Sequence, residues 1–120
     1  MDGVPMGQVS EALITEEQVP DGELVALLIG EDGQLIDVIA RRNGGDLVVW
    51  QNVCPHAGRR LDYAPGHFLV HDGRLVCAAH GAQFDLVDGR CVDGPGRGGA
   101  LSALSTAPVP GGWQVSWVGD

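Results

Sequence analysis

The sequence predicts an all-β fold, a sandwich or small barrel of short antiparallel strands. Short apolar or alternating runs recur at close spacing, and clusters of turn-forming residues separate them. The 120 residues include 19 glycines and seven prolines, while helical signals are scarce. The hydrophobic fraction of 44% and the charged fraction of 19% are typical of a globular chain. This length suits one domain, which we expect to span residues 1–120.

The predicted strands border turn sequences. An Asp-Gly pair at 32–33 favours a tight hairpin turn, and similar glycine-containing turns are expected at 43–45, 71–73, 88–89 and 110–112. The apolar or alternating runs beside these turns are the predicted strands: residues 24–29, 35–40, 47–50, 68–70, 74–76, 83–86, 90–92 and 113–118. The strands at 47–50 and 74–76 lead directly into the two segments that contain the candidate functional residues.

Those two segments are a Cys-x-His pair, Cys54 and His56, and a Cys-x-x-His pair, Cys77 and His80. There are 20 residues between the pairs, and the chain has only three cysteines and four histidines. Two thiolates and two imidazoles make a complete four-ligand set for a soft or borderline metal. Chance placement is therefore a poor explanation, and the sequence predicts a metal centre with these four ligands.

Zinc and iron compete for such a ligand set. Structural zinc modules usually pair two cysteines closely and two histidines later in the chain, whereas each segment here contains one of each. A mixed pair suits a two-iron centre, because the cysteine of each loop can bind one iron and the histidine of the same loop can bind the other. A structural zinc-binding interaction module remains the alternative, and colour separates the two, since an iron–sulfur protein is red-brown and a zinc protein colourless.

The two segments and their flanks resemble the Rieske [2Fe-2S] proteins over about residues 23–118. The family pattern is Cys-x-His, a gap of this size and Cys-x-x-His, with glycines at the positions of Gly58 and Gly81. The flanks also agree: Asn52, Pro55, residues 80–85 and Gly89. The resemblance implies a Rieske-type antiparallel β-sandwich with a small cluster-binding subdomain, whose loops lie near residues 52–60 and 77–84.

The cofactor implied by this resemblance is a [2Fe-2S] cluster. Cys54 and Cys77 would hold one iron, and His56 and His80 the other. The glycine-rich segment 93–99 would correspond to the proline-bearing loop that covers such clusters, although by its residues alone it could equally be a surface loop. His67 and His71 lie in or beside turns, where solvated histidines are ordinary, and Cys91 reads as a small buried side chain in a strand.

The resemblance also implies a low reduction potential. Rieske proteins of respiratory complexes have an extra cysteine in each loop, which form a disulfide, where this chain has Arg59 and Ala79. They also have a serine and a tyrosine that donate hydrogen bonds to the cluster sulfurs, where this chain has Ala82 and Phe84. Losing these donors destabilises the reduced cluster, so we expect a potential near the low end of the Rieske range, roughly −150 mV.

The function implied is single-electron transfer from a flavin-dependent ferredoxin reductase to a terminal oxygenase, with no catalytic residues in the chain itself. The domain would leave no residues for a second, mononuclear iron. A small subunit like that of assimilatory nitrite reductase is a second interpretation, which would be isolated in a stable complex.

The net charge of the chain argues against nucleic acid and membrane partners, and its cysteine content indicates a reducing compartment. The net charge is −9, and residues 1–32 contain eight acids and no base, so residues 1–22 are expected to form an acidic N-terminal segment. At this charge we expect neither nucleic acid nor anionic membranes as partners. No apolar run reaches the ~18 residues of a membrane span, and no signal peptide is visible. Two cysteines assigned to metal leave no disulfide pair, which fits a cytoplasmic protein.

Overall fold

The computed structural model describes residues 8–31, 34–55, 58–77, 81–94 and 99–119. These residues form antiparallel strands and no helix, which confirms the predicted all-β class. In chain order the strands are β1 (Gln8–Thr15), β2 (Leu24–Ile29), β3 (Ile36–Asn43), β4 (Asp46–Gln51), β5 (Leu69–His71), β6 (Arg74–Val76), β7 (Gln83–Asp85), β8 (Cys91–Asp93), β9 (Ala103–Val109) and β10 (Gly112–Gly119).

The larger sheet has six strands in the order β1-β10-β9-β4-β3-β2. Its edge strands β1 and β2 approach each other, so the sheet curls toward a barrel. Alternating side chains of these strands fill its interior, since successive residues of a strand point to opposite faces. The buried members of this core are Ile14, Val19, Ile29, Val38, Ala40, Leu47, Val49, Trp113 and Val115.

The smaller sheet has four strands in the order β5-β6-β7-β8, each of three residues. A second core lies between the two sheets, because it combines Ile39 and Trp50 of the larger sheet with Leu75 and Phe84 of the smaller one. Strands this short bury little surface on their own, so the smaller sheet depends on packing against the larger one. It is the small subdomain that the sequence leads us to expect.

Every predicted strand corresponds to an observed one, and two observed strands were not predicted. The prediction for residues 24–29 matches β2 (Leu24–Ile29) and that for 74–76 matches β6 (Arg74–Val76). The missed strands are β1 and β9. The described residues contain no helix with the length and hydrophobicity that a membrane crossing requires, and the cytoplasmic location remains a prediction.

Candidate metal centre

The first ligand loop begins where β4 ends and is closed by its own backbone. The amide of Cys54 donates to the carbonyl of Arg59 (2.7 Å), and the amide of Gly58 donates to the carbonyl of Cys54 (2.8 Å). Gly58 has φ +66°, a left-handed conformation that glycine adopts without steric cost. The Cys54 side chain is fully buried.

The second ligand loop repeats this arrangement after β6. The amide of Cys77 donates to the carbonyl of Ala82, and the amide of Gly81 donates to the carbonyl of Cys77, both at 2.8 Å. Gly81 has φ +74°. In both loops, therefore, the cysteine amide bonds a carbonyl five residues later, and a left-handed glycine four residues later closes the turn. The two cysteines consequently occupy equivalent positions in matched loops.

Both cysteines enter the core between the sheets. Cys54 and Cys77 are each 0% exposed, and their cluster of buried side chains includes Leu61, Leu75 and Phe84. Two thiolates in such apolar surroundings would be costly on their own, whereas iron would compensate their charge. Burial, matched loops and the chemistry of the donor set therefore fit a [2Fe-2S] cluster at this place.

The predicted histidine ligands, His56 and His80, lie outside the described residues, so their assignment remains a prediction. Within the ranges that the structure does describe, no group of three or more His, Cys, Asp or Glu side chains could hold a metal. The other two histidines are exposed, as expected for residues in turns. The His71 imidazole lies 3.3 Å from the Asp72 carboxylate, and the His67 ring lies 5.9 Å from that of Tyr63.

Cys91 belongs to the same buried core but not to a ligand loop. It begins β8, and its thiol donates to the carbonyl of Asp93 (3.4 Å). Its amide donates to the carbonyl of Gly99 (2.9 Å). This bond ties the start of β8, two residues before the glycine-rich segment 93–99, to the last residue of that segment. Residues 95–98 lie outside the described part of the chain.

The start of that segment lies directly against the second ligand loop. Gly94 has φ +81°, and a Cβ there would lie 3.0 Å from the Gly81 carbonyl oxygen and 3.1 Å from the Ala82 Cα. Such an approach of backbone to backbone requires glycine. The contact is consistent with the covering role that the resemblance implies for segment 93–99.

A polar network flanks the first ligand loop. Asn52, just before the loop, is 1% exposed, and its Oδ1 accepts the amide hydrogen of Leu61 (2.9 Å). Its Nδ2 donates to Asp62 Oδ1 (3.3 Å) and to Asp37 Oδ1 (3.4 Å). Arg60 donates through Nε to Asp62 Oδ1 and through Nη2 to Asp62 Oδ2, both at 2.9 Å, and its Nη1 bonds Asp37 Oδ2.

The charges of this network stabilise one another. Burial alone would raise the pKa of Asp62, but hydrogen bonds from Arg60, Gly66 and Asn52 and the charge of Arg60 outweigh it, so the pKa lies below its ordinary value. The pKa of Arg60 is raised, chiefly by its hydrogen bond to Asp62. Asp62 is therefore ionised at neutral pH although its side chain has no exposed surface.

Sequence reasoning missed this network. No sequence feature sets Arg60 apart from a solvated surface arginine. It nevertheless binds Asp62, two residues later, and Asp37, which lies 23 residues earlier in the chain. One available signal was Asp37, a charge inside the otherwise apolar run 35–40. The other was Asn52, a polar residue between a buried strand and a ligand loop.

Comparison with protein families gives one match that covers most of the chain. The family model for the Rieske [2Fe-2S] domain matches residues 10–108. A comparison with curated protein sequences gives no match.

Solved structures of a ferredoxin and of oxygenases have a similar fold. The ferredoxin of carbazole 1,9a-dioxygenase from Nocardioides aromaticivorans IC177 has a TM-score of 0.63 and 24% identity, over 87% of this chain and 93% of that chain. The terminal oxygenase of carbazole 1,9a-dioxygenase from the same organism has a TM-score of 0.65 and 25% identity, over 95% of this chain and 31% of that chain. The terminal oxygenase of carbazole 1,9a-dioxygenase from Novosphingobium sp. KA1 has a TM-score of 0.68 and 20% identity, over 91% of this chain and 29% of that chain. This chain thus spans under a third of each oxygenase chain.

Proposed function

Because the chain belongs to the Rieske [2Fe-2S] domain family, we propose that it carries single electrons from a flavin-dependent ferredoxin reductase to a terminal oxygenase. Its cofactor is a [2Fe-2S] cluster, which leaves no support for the zinc alternative. The observation that carries the proposal is the pair of matched loops, each with a fully buried cysteine. The similar ferredoxin supports it, because the likeness extends over 93% of that chain.

Four residues are proposed to hold the cluster: Cys54 and Cys77 one iron, and His56 and His80 the other. The cluster, when bound, supplies reversible storage of one electron. The chain's own contribution is to fix the ligands and to exclude water from the thiolates, since Leu75 and Phe84 lie in the same buried core. No side-chain hydroxyl is available at Ala82 or Phe84, which favours a low potential.

The proposed partners follow from chemistry and from the named relatives. A cluster of low potential suits an electron donated by a reduced flavin and delivered to an oxygenase, and does not suit quinol oxidation. One similar solved structure is described as the reduced complex between oxygenase and ferredoxin in carbazole 1,9a-dioxygenase. A complex of that kind is what we propose for this chain and its own oxygenase.

The test is a two-step electron transfer with the purified red-brown protein. A flavin reductase and a nicotinamide nucleotide should bleach the cluster with uptake of one electron per protein, measured by stopped-flow absorbance. Addition of a separately purified oxygenase, its aromatic substrate and oxygen should restore the oxidised spectrum. A protein that is reduced chemically but is not reoxidised by any oxygenase would contradict the proposal. Isolation in a fixed ratio with a larger sirohaem-type reductase would instead indicate the nitrite-reductase interpretation.

A further inference from the structure

The polar network is placed so that one buried side chain closes the base of the first ligand loop. Asn52 precedes the loop and Leu61 follows it, and Asn52 Oδ1 accepts the Leu61 amide hydrogen at 2.9 Å. The backbone amide of Asn52 donates to the backbone carbonyl of Asp37 in β3 (2.9 Å). The carboxamide of Asn52 therefore adds a bond across the two ends of the loop, outside the backbone bonds that close it between Cys54 and Arg59. The backbone amide of Asn52 ties the same end of the loop to β3.

The carboxamide is oriented by two carboxylates. Its Nδ2 donates to Asp62 Oδ1 and to Asp37 Oδ1, and these acceptors ensure that Oδ1 faces Leu61. Two carboxylates that share one amide group repel each other, and the Asp62 side chain has no exposed surface to relieve that repulsion. An additional charge must hold them in place.

Arg60 supplies that charge. We propose that Arg60 is a positioning residue for the first ligand loop, because it binds Asp62 and Asp37 together and thereby fixes Asn52 and the backbone that leads into Cys54. Its planar guanidinium reaches both oxygens of Asp62 and one of Asp37, a fork that an ammonium group cannot reproduce. We call Asp37, Asn52, Arg60 and Asp62 the loop clamp.

The loop clamp acts on one of the two ligand loops. The second loop leaves β6 and is contacted by Gly94. Among the described residues, the hydrogen bonds of the loop clamp do not reach this loop. Loosening the clamp should therefore displace the first loop relative to the second, which changes the geometry of the cluster between them. The inference rests on the proposed ligands of the cluster, but on neither redox partner.

The experiment compares three arginine variants of the purified, cluster-loaded protein. Arg60→Ala should lose iron to an excess of a ferrous chelator about tenfold faster than the wild type, the order of magnitude expected for losing a partly exposed charge-assisted hydrogen bond. Arg60→Lys keeps the charge but cannot form the paired hydrogen bonds of a guanidinium. Its rate of iron loss should therefore lie between those of the wild type and Arg60→Ala. Arg90→Ala is the control, because it makes the same change of charge at an exposed side chain on the turn before β8.

Two further measurements distinguish positioning from general stability. The reduced Arg60→Ala protein should have a shifted or broadened EPR spectrum and a shifted midpoint potential, whereas Arg90→Ala should retain the wild-type spectrum. Moderate salt should accelerate iron loss in the wild type and have less effect in Arg60→Ala, since the Arg60 side chain is half exposed and its ion pairs are screened.

Equal chelation rates and identical EPR spectra of Arg60→Ala and wild type would overturn the inference. If Arg60→Ala does not fold, Arg60→Lys decides: wild-type iron retention and spectrum in that variant would overturn it, and faster loss with an altered spectrum would support it. Failure of electron transfer to an oxygenase would leave these outcomes unchanged, so the inference and the proposed function fail separately.

Discussion

Every cysteine of this chain is buried, yet only Cys54 and Cys77 lie at the start of matched loops that a left-handed glycine closes. Replacing either with Ala should prevent stable cluster assembly, because the site loses a thiolate ligand. Cys91→Ala is the matched control and should retain two irons per protein, since Cys91 is buried in the same core but outside both loops. Iron analysis and the visible spectrum measure the result.

The same assay tests the histidines that the sequence assigns. His56→Ala and His80→Ala should lose iron, while variants of the exposed His67 and His71 should not. Loss of iron in a His67 or His71 variant would mean that the wrong histidines were assigned. A red-brown Cys54→Ala protein with two irons would contradict the cysteine assignment.

The second prediction concerns hydrogen-bond donors near the cluster. Ala82 and Phe84 are both fully buried, and Phe84 shares its core with Cys54 and Cys77. Ala82→Ser combined with Phe84→Tyr should raise the midpoint potential, because a hydroxyl that donates to a cluster sulfur stabilises the added negative charge.

Ala107→Ser, at an exposed position of β9, is the control and should leave the potential unchanged. Protein-film voltammetry measures both variants. No rise in the double variant would mean that these two side chains point away from the sulfurs.

At the scale of strands, the sequence identified those with an apolar or alternating run beside a turn and missed two strands without a clear run of that kind. Strand β6 was predicted with its observed bounds, because an apolar run follows a turn there. Strand β9 was missed because its side chains are mostly small or polar and it includes Pro108. Its partners are β10 and β4, so tertiary pairing rather than intrinsic propensity makes it a strand.

The third prediction concerns the turn between β7 and β8, which packs against β4. Gly89 has φ +77°, and a Cβ there would lie 2.5 Å from Nε1 of the buried Trp50. Gly89→Ala should lower the free energy of unfolding by about 3 kcal/mol, the sum of left-handed strain and overpacking.

Gly73→Ala is the control for backbone strain alone. Gly73 has φ +72°, but a Cβ there would meet nothing within 4 Å, so we expect a loss of about 1 kcal/mol. Urea unfolding followed by circular dichroism measures both variants. Equal losses would mean that the Trp50 indole moves aside without cost.

At the scale of the whole molecule, the loop clamp shows why the sequence points to candidate ligands more readily than to the residues that support them. Candidate metal ligands can be recognised from the type and spacing of cysteines and histidines within short segments. The partners Asp37 and Arg60 are 23 residues apart, and only the packing of β3 beside the first ligand loop brings them together. Asp37 stands out as a charge within an apolar run, but nothing in the local sequence indicates that Arg60 is its partner.

The charge of the whole molecule leads to the last prediction. Reduction adds one negative charge to a protein whose net charge is already −9, so the acidic groups disfavour the reduced state. Salt screens this repulsion, and the Debye length falls from about 30 Å at 0.01 M to about 10 Å at 0.1 M. The midpoint potential should therefore rise with added KCl over this range, by a few tens of millivolts, an order-of-magnitude figure for charges about 15 Å away in water.

Voltammetry at fixed pH and increasing KCl concentration measures this change in the midpoint potential. The variant Glu11→Gln with Glu31→Gln removes two exposed acids and should have a higher potential at low salt and a shallower rise. Replacing KCl with an uncharged solute such as sucrose should not reproduce the rise, because only ions screen charge. A potential that falls with KCl would mean that local charges of the opposite sign, such as the arginines beside the first ligand loop, outweigh the acidic surface.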